Sequence, residues 1–462
     1  MQTSALVDPD DIRGLFSRAL SGMYKAEVPQ YGDLLDLVAD INAEVLRERE
    51  GLADRLREAG QLDRLDVERH GAIRLGTVGE LAVMRRLFAV MGMRAVGYYD
   101  LSVAGVPVHA TAFRPVDESS LKRNPFRVFT SLLRLDLIDD AALRERAAQI
   151  LAGRNIFTPR CLELIGRAER DGGLSGPLAQ EFVAQALQTF RWHSEATVDI
   201  ETYRQLRASH PLIADVVCFK GPHINHLTPR VLDIDRAQAA MLEKDIRAKD
   251  AIEGPPKRRC PILLRQTSFL ALEEPIRFQG AEGVDGTHTA RFGEIEQRGC
   301  ALTPKGRALY DQLLNAALAA GPGAVSKASA LAQAFAAFPD DAGALRREQL
   351  AYFRYSVDRD RADQPGPVSA NASVEALLDQ GLVRAEPLVY EDFLPVSAAG
   401  IFRSNLGSEG AAHYAAGGNR EAFEAALGAS VMDEFALYEA AQAASLEQCR
   451  HELADLVVTA SS

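Results

Sequence analysis

Apolar residues recur at three- and four-residue intervals through the first sixty or so positions, in DPDDIRGLFSRALSGMYKAEV and YGDLLDLVADINAEVLREREG, and this spacing predicts two amphipathic helices. Asp8 stands as a cap before Pro9, with Asp10 and Asp11 keeping the first turn acidic, and Gly51 reads as the stop of the second helix. The pattern changes at His70. HGAIRLG is short and extended, and GELAVMRRLFAVMGM is helical. RAVGYYDLSV, PVHATAFRPV and FRVFTSLLRLDLI read as three strands separated by turn residues. Helical segments follow, DDAALRERAAQILAGR and GPLAQEFVAQALQTF being the clearest. The order seen after His70 then recurs: NHLTPRVLDI is extended, RAQAAMLEKDIRAKDAI is helical, and CPILLRQTSFLALEEPIRF and GTHTARFGEIEQRG read as long β segments. Beyond Gly299 the chain is mainly helical, interrupted by the apolar run LVYEDFLPVSAAGIF.

This recurrence is one of pattern and predicts an α+β fold, a central curved β-sheet built from two βαβββ-like modules. Three regions are expected: an N-terminal helical segment (1–65), a β core (66–300) with a helical insertion at about 139–215, and a mainly helical C-terminal region (301–462) contributing to the pocket. A metal at the centre of such a sheet can take one ligand from the first half and two from the second.

Composition narrows the function. The 462 residues include 52 Lys and Arg against 64 Asp and Glu, a net charge of −12 that argues against a nucleic-acid surface. The five cysteines are scattered without CxxC or CxxH spacing, so neither a thiolate zinc site nor a disulfide framework is signalled. The first residues lack a basic region followed by an apolar run, and no stretch is long and apolar enough to span a bilayer. The expectation is a soluble, cytoplasmic protein.

Three segments carry candidate chemistry. On an extended HGAIRLG, His70, Ala72 and Arg74 share a face, which makes a notch where a metal and a carboxylate can sit together. An ordinary surface strand is the competing reading. In GPHINHLTPR, Pro222 and Pro229 disfavour a helix, so His223 and His226 point to opposite faces and at most one of them faces a site. In THTARFGEIEQRG, alternation places His288, Ala290, Phe292, Glu294 and Glu296 on one face, but the opposite face is no more apolar. His70, one histidine of the pair and Glu294 would make a two-imidazole, one-carboxylate set for non-haem Fe(II), although spacing alone does not bring them together. RGCALTPKGRALYDQLL is similar to the strand-to-helix passage of winged-helix regulators. A capped helix after a strand explains it better, since no basic recognition helix accompanies it.

Taken together, ERHGAIRLGTVGELA, FKGPHINHLTPRVLDI, FGEIEQRGCALTPKGR and YEDFLPVSAAGIF resemble the 2-oxoadipate dioxygenase/decarboxylase family, also called D-2-hydroxyglutarate synthase, over nearly the whole chain. The resemblance implies a sheet of the vicinal-oxygen-chelate type and an Fe(II) cofactor held by His70, His226 and Glu294. It places the substrate-binding, catalytic arginine at Arg74 and a further substrate contact at Val396, where backbone amides would hold the distal carboxylate. The 2-oxo acid would chelate the iron, so the three ligands also face the substrate. Its reaction turns 2-oxoadipate and O2 into D-2-hydroxyglutarate and CO2 by intramolecular hydroxylation, in lysine catabolism. The runner-up is a non-redox lyase or isomerase of 2-oxo acids on the same metal set. Arg74, close to His70, is expected to hold the metal-chelating carboxylate, and QGAEGVDGT is a candidate lid.

Overall fold

A computed structural model describes residues 5–249, 251–269, 272–280, 284–319, 327–358, 373–394 and 419–460 of the chain. Helix α1 (Pro9–Glu27) starts as its sequence predicts, with the Asp8 side chain accepting from the Asp10 amide and Pro9 in the first turn. Helix α2 (Pro29–Glu48) ends before Gly51, which instead takes a left-handed backbone (φ 69°) and opens the short α3 (Leu52–Glu58). The fully buried Arg13 of α1 donates to the carbonyls of Met91, Ser120 and Asn124, tying the helix to the segments on either side of the sheet strands.

The first module follows the sequence pattern closely. β1 (Arg69–Leu75) passes into α4 (Val78–Val90) through a capping box between Thr77 and Glu80. β2 (Arg94–Asp100), β3 (Val108–Arg114) and β4 (Arg127–Leu133) follow, with the short α5 (Glu118–Arg123) before the last strand. β2, β3 and β4 pair antiparallel, and β4 pairs with β1 in parallel, which the crossover through α4 permits. Helices α6 (Ala141–Ala152), α7 (Pro159–Asp171) and α8 (Gly176–Leu187), strand β5 (Glu195–Asp199), and helices α9 (Ile200–Ser209) and α10 (Pro211–Val217) connect the modules.

The second module is less regular. β6 is only Leu227–Pro229, and its antiparallel pairing with β1 completes a five-stranded sheet of order β2-β3-β4-β1-β6. Helix α11 (Ile234–Glu243) stops short of the helix expected through Ile252. Asp245 turns the chain with a positive φ of 56°, and Lys249 and Glu253 then bond to Ser268 and Gln266 as an irregular edge. Each long β segment divides in two. β7 (Leu264–Ser268) is separate from β8 (Glu273–Gln279), and β9 (Val284–Thr289) is separate from β10 (Glu294–Arg298). β8 and β9 form a hairpin that joins β5 in a three-stranded sheet, while β10 pairs with β7. A parallel bridge from Arg230 to Glu296 continues β6 onto β10. With the Lys249–Glu253 edge counted as a strand and the β8–β9 hairpin set aside, the second module repeats the βαβββ order of the first. The fold is therefore α+β with two such modules, the vicinal-oxygen-chelate arrangement.

The chain divides into two compact units. The first holds residues 1–253, 265–297 and 392–432, and so both modules and the helix Arg420–Leu427. The second holds residues 254–264, 298–391 and 433–462. In it the strands Phe353–Val357 and Val383–Pro387 pair antiparallel, and Gln442 and Ser445 of the helix Glu434–Ala460 accept from the Phe353 and Tyr355 amides, so an edge strand is covered. Helix Pro304–Ala319 is capped by Thr303, whose hydroxyl accepts from the Gly306 amide. Among the described residues no helix is long and apolar enough to cross a membrane. Of the expected lid, residues 281–283 lie outside the described residues, and Val284–Thr287 belongs to β9.

Candidate metal centre and substrate pocket

His70, His226 and Glu294 meet. One ligand atom from each lies within 4.8 Å of the others. His70 comes from β1, His226 immediately precedes β6, and Glu294 is the first residue of β10. The pairing explains the convergence. His70 stands opposite Thr228 across the β1–β6 ladder, and the Thr228 hydroxyl donates to Glu294 Oε2 at 2.9 Å. Gln266 on β7 donates to the other carboxylate oxygen at 3.0 Å, so both oxygens of Glu294 are held from neighbouring strands. His70 Nε2 lies 3.0 Å from Glu294 Oε2, and His226 Nε2 lies 3.5 Å from the same oxygen. The two imidazoles stand at 90° with centroids 5.4 Å apart, and Phe393 and Phe292 pack against them.

The surroundings act differently on the three side chains. Burial pushes the His226 imidazole down to about 4, which keeps it neutral at physiological pH. Burial alone would lower His70 too, but Glu296 and Glu294 outweigh it and raise it above its ordinary value. Burial opposes the Glu294 carboxylate, and the two imidazoles with Thr228 overcome that opposition and lower it. The second His70 nitrogen, Nδ1, lies 2.9 Å from Glu296 Oε2, the arrangement in which a carboxylate sets the tautomer and direction of a ligating histidine. Behind it, Glu68 is fully buried among Arg64, Arg127 and Arg230, which hold it well below the usual carboxylate range against the cost of burial.

A pocket opens beside the cluster, entirely within the first unit. Its walls are mostly apolar, with Leu101, Phe129, Phe292, Phe393 and Leu394 among them, and Arg74 and Ser131 add polar groups. Arg74 shares the inner face of β1 with His70, as alternation predicts, and its guanidinium reaches Asp215 on α10 at 2.6 Å. A buried set of two imidazoles and a carboxylate, with one ligand atom from each within 4.8 Å of the others, fits a divalent ion such as Fe(II), for which His70, His226 and Glu294 would be the ligands. His223 turns away from the cluster toward Asp215, 3.3 Å distant, so one histidine of the pair serves each side. His288 also bonds Asp215 (2.9 Å), and does not join Glu294, because β9 and β10 belong to different sheets. Val396 lies outside the described residues.

The model of the 2-oxoadipate dioxygenase/decarboxylase family matches residues 16–405. The chain belongs to this family. A 2-oxoadipate dioxygenase/decarboxylase of Pseudomonas putida is 58% identical over 98% of this chain and 99% of its own length. That of Escherichia coli is 56% identical over 96% of this chain and 98% of its own. Among solved structures, the Pseudomonas putida hydroxyglutarate synthase in complex with 2-oxoadipate is similar at a TM-score of 0.90 and 57% identity, covering 97% of this chain and 99% of that one.

Sequence reasoning missed the residues that orient these side chains. Thr228 and Gln266 lie in segments read only as β structure, and nothing local marks them. Asp215 did leave a signal: it is the single carboxylate in PLIADVV, a helix whose residues from Leu212 to Val217 are all buried. A charge there needs a partner.

Proposed function

We propose that this chain is an Fe(II)-dependent dioxygenase that converts 2-oxoadipate and O2 into D-2-hydroxyglutarate and CO2, in the breakdown of lysine. The observation that carries this reading is the buried His70–His226–Glu294 set opening directly into an apolar pocket that also presents Arg74. The names of the close relatives support the substrate. When bound, the iron supplies a redox-active Lewis acid at which the 2-oxo acid and O2 meet. The chain does the rest. Gln266 and Thr228 fix the Glu294 carboxylate, and Glu296 fixes the His70 ring. Arg74 holds a substrate carboxylate with its planar fork, and Phe129 and Phe393 keep bulk water from the reacting carbons. Atoms balance without a second reductant: one carbon leaves as CO2, and both oxygen atoms of O2 remain in the hydroxy diacid.

The test is oxygen uptake by metal-stripped protein given Fe(II) and then 2-oxoadipate, with the product identified by mass. Uptake that needs both additions and yields 2-hydroxyglutarate is expected. Turnover of 2-oxoadipate without oxygen would replace the oxygenase with a non-redox lyase or isomerase, and an untouched substrate would remove 2-oxoadipate from the assignment.

A further inference from the structure

Behind Arg74 lies a buried polar cluster that contributes no ligand to the metal set. Asp215 on α10 is its centre, and its side chain is 3% exposed. One carboxylate oxygen accepts from Arg74 Nη1 at 2.6 Å, and the other faces His288 Nε2 at 2.9 Å and His223 Nε2 at 3.3 Å. The chain of contacts extends outward. His288 Nδ1 lies 2.9 Å from the Tyr203 hydroxyl, which accepts from Arg207 at 3.2 Å. With His288 donating to Asp215, its other nitrogen is free to accept from Tyr203, so every hydrogen bond in the row has one donor and one acceptor. Asn225 closes the other side. In the orientation that suits its neighbours, its amide nitrogen donates to Ala72 O (3.2 Å) and its oxygen accepts from Arg74 Nη1 (2.9 Å) and His223 (3.3 Å). Trp192 stacks on His288 and meets His223 edge-on, and the Arg291 guanidinium lies 4.8 Å above the Trp192 ring.

We propose that Asp215 is the positioning residue that aims Arg74 into the pocket, with His223 and His288 holding its carboxylate in place. This rests on Arg74 being the substrate anchor, as read above. A long arginine side chain on an open pocket wall has many rotamers, and bidentate capture of a carboxylate works only when the guanidinium plane is set beforehand. Asp215 and Asn225 both engage Nη1. That leaves the Nε–Nη2 edge, which takes a carboxylate with two parallel bonds, for the substrate. The burial of Asp215 would favour its neutral acid, but Arg74 and the two histidines outweigh burial and keep it well below the usual carboxylate range. The cluster is thus an ionised, fully bonded support for a residue that must itself stay available.

The experiment is Asp215→Asn, which keeps the volume and removes the charge. The KM for 2-oxoadipate should rise at least about tenfold, the loss expected for one charge-assisted contact, with a smaller fall in kcat. Bound iron should be unchanged, since Asp215 contacts none of the three ligands. The double variant Arg74→Ala/Asp215→Asn should be no worse than Arg74→Ala alone, because Asp215 acts only through Arg74. A role confined to stability predicts additive losses instead, and additive losses would overturn the proposal. So would a folded, iron-loaded Asp215→Asn with the parent's KM. If Asp215→Asn does not fold, His288→Gln supplies the same comparison with a smaller rise in KM, and an unchanged KM there counts against the proposal. Crystal structures of the parent and the variant separate this claim from the substrate assignment. A displaced Arg74 guanidinium supports positioning even if 2-oxoadipate proves not to be the substrate, and an unmoved one contradicts it.

Discussion

The two βαβββ modules build the sheet in the same order but differ in regularity, and the site exploits the difference. The first runs from Arg69 to Leu133, and each of its strands is seven residues long. It delivers His70 and Arg74 from within one strand, which is paired by β4 along its length and by β6 at the His70 end. The second module reduces its first strand to three residues and inserts the β8–β9 hairpin. It delivers His226 and Glu294 from positions where regular pairing begins. A side chain inside a paired strand can only alternate between faces, whereas one at a strand end can be aimed by the local backbone. The regular module supplies a fixed reference, and the irregular one brings His226 and Glu294 to it.

Removing one ligand from each module gives the largest effects. His70→Ala and Glu294→Ala should each reduce kcat/KM on the order of a thousandfold or more, because three ligands act as a unit. Appreciable iron-dependent activity in either, by oxygen uptake, would mean that the modules do not share one centre.

Glu296→Gln asks whether the irregular module also orients the ligand of the regular one. Metal affinity should fall about 10–100-fold, read by competition with a chelator, while Glu294 remains in place. Unchanged affinity would reduce the 2.9 Å approach of Glu296 to His70 to simple proximity.

Gly71→Ala probes the seam. A methyl group there would sit 2.7 Å from Ile224 Cδ1 and 2.9 Å from the His226 carbonyl, so β1 and the segment leading to β6 must separate. A loss of about 1–3 kcal/mol in denaturant unfolding is expected, as for other overpacked sites. No loss would show that the seam yields freely.

Acid alone tests the support of the first module from behind. His210 caps α10, the helix that carries Asp215, by accepting from the Leu212 amide at 3.1 Å, and burial lowers it to about 4. The unfolded chain takes up this proton as pH falls through about 6.5, and the folded chain resists until about 4. The contribution is therefore complete above 6.5 and lost progressively between 6.5 and 4, at most about 3 kcal/mol. His210→Asn keeps an acceptor for the cap and should flatten that part of the stability–pH curve; an unaltered curve would assign the acid sensitivity elsewhere.

The same contrast governs how much could be read beforehand. Strands β1 to β4, α4 between them and the shared face of His70 and Arg74 were all legible, because uninterrupted alternation maps directly onto paired strands. The division of His223 from His226 also followed from parity. The second module hid its breaks. His288 and Glu294 have the same parity, and no Pro lies between them, yet they end in different sheets. The helix expected through Ile252 ended at Glu243, where Asp245 takes a backbone that few non-glycine residues adopt. Contacts such as Gln266 with Glu294 and Asp215 with Arg74 join distant segments, and no local pattern encodes them.

The most direct test of a shared centre is iron stoichiometry, measured anaerobically on metal-stripped protein titrated with Fe(II). The parent and Arg74→Lys should each bind one iron per chain, while His70→Ala, His226→Ala and Glu294→Ala should each lose it, one from the first module and two from the second. Full occupancy in any one of those three variants would contradict the convergence of both modules on a single metal.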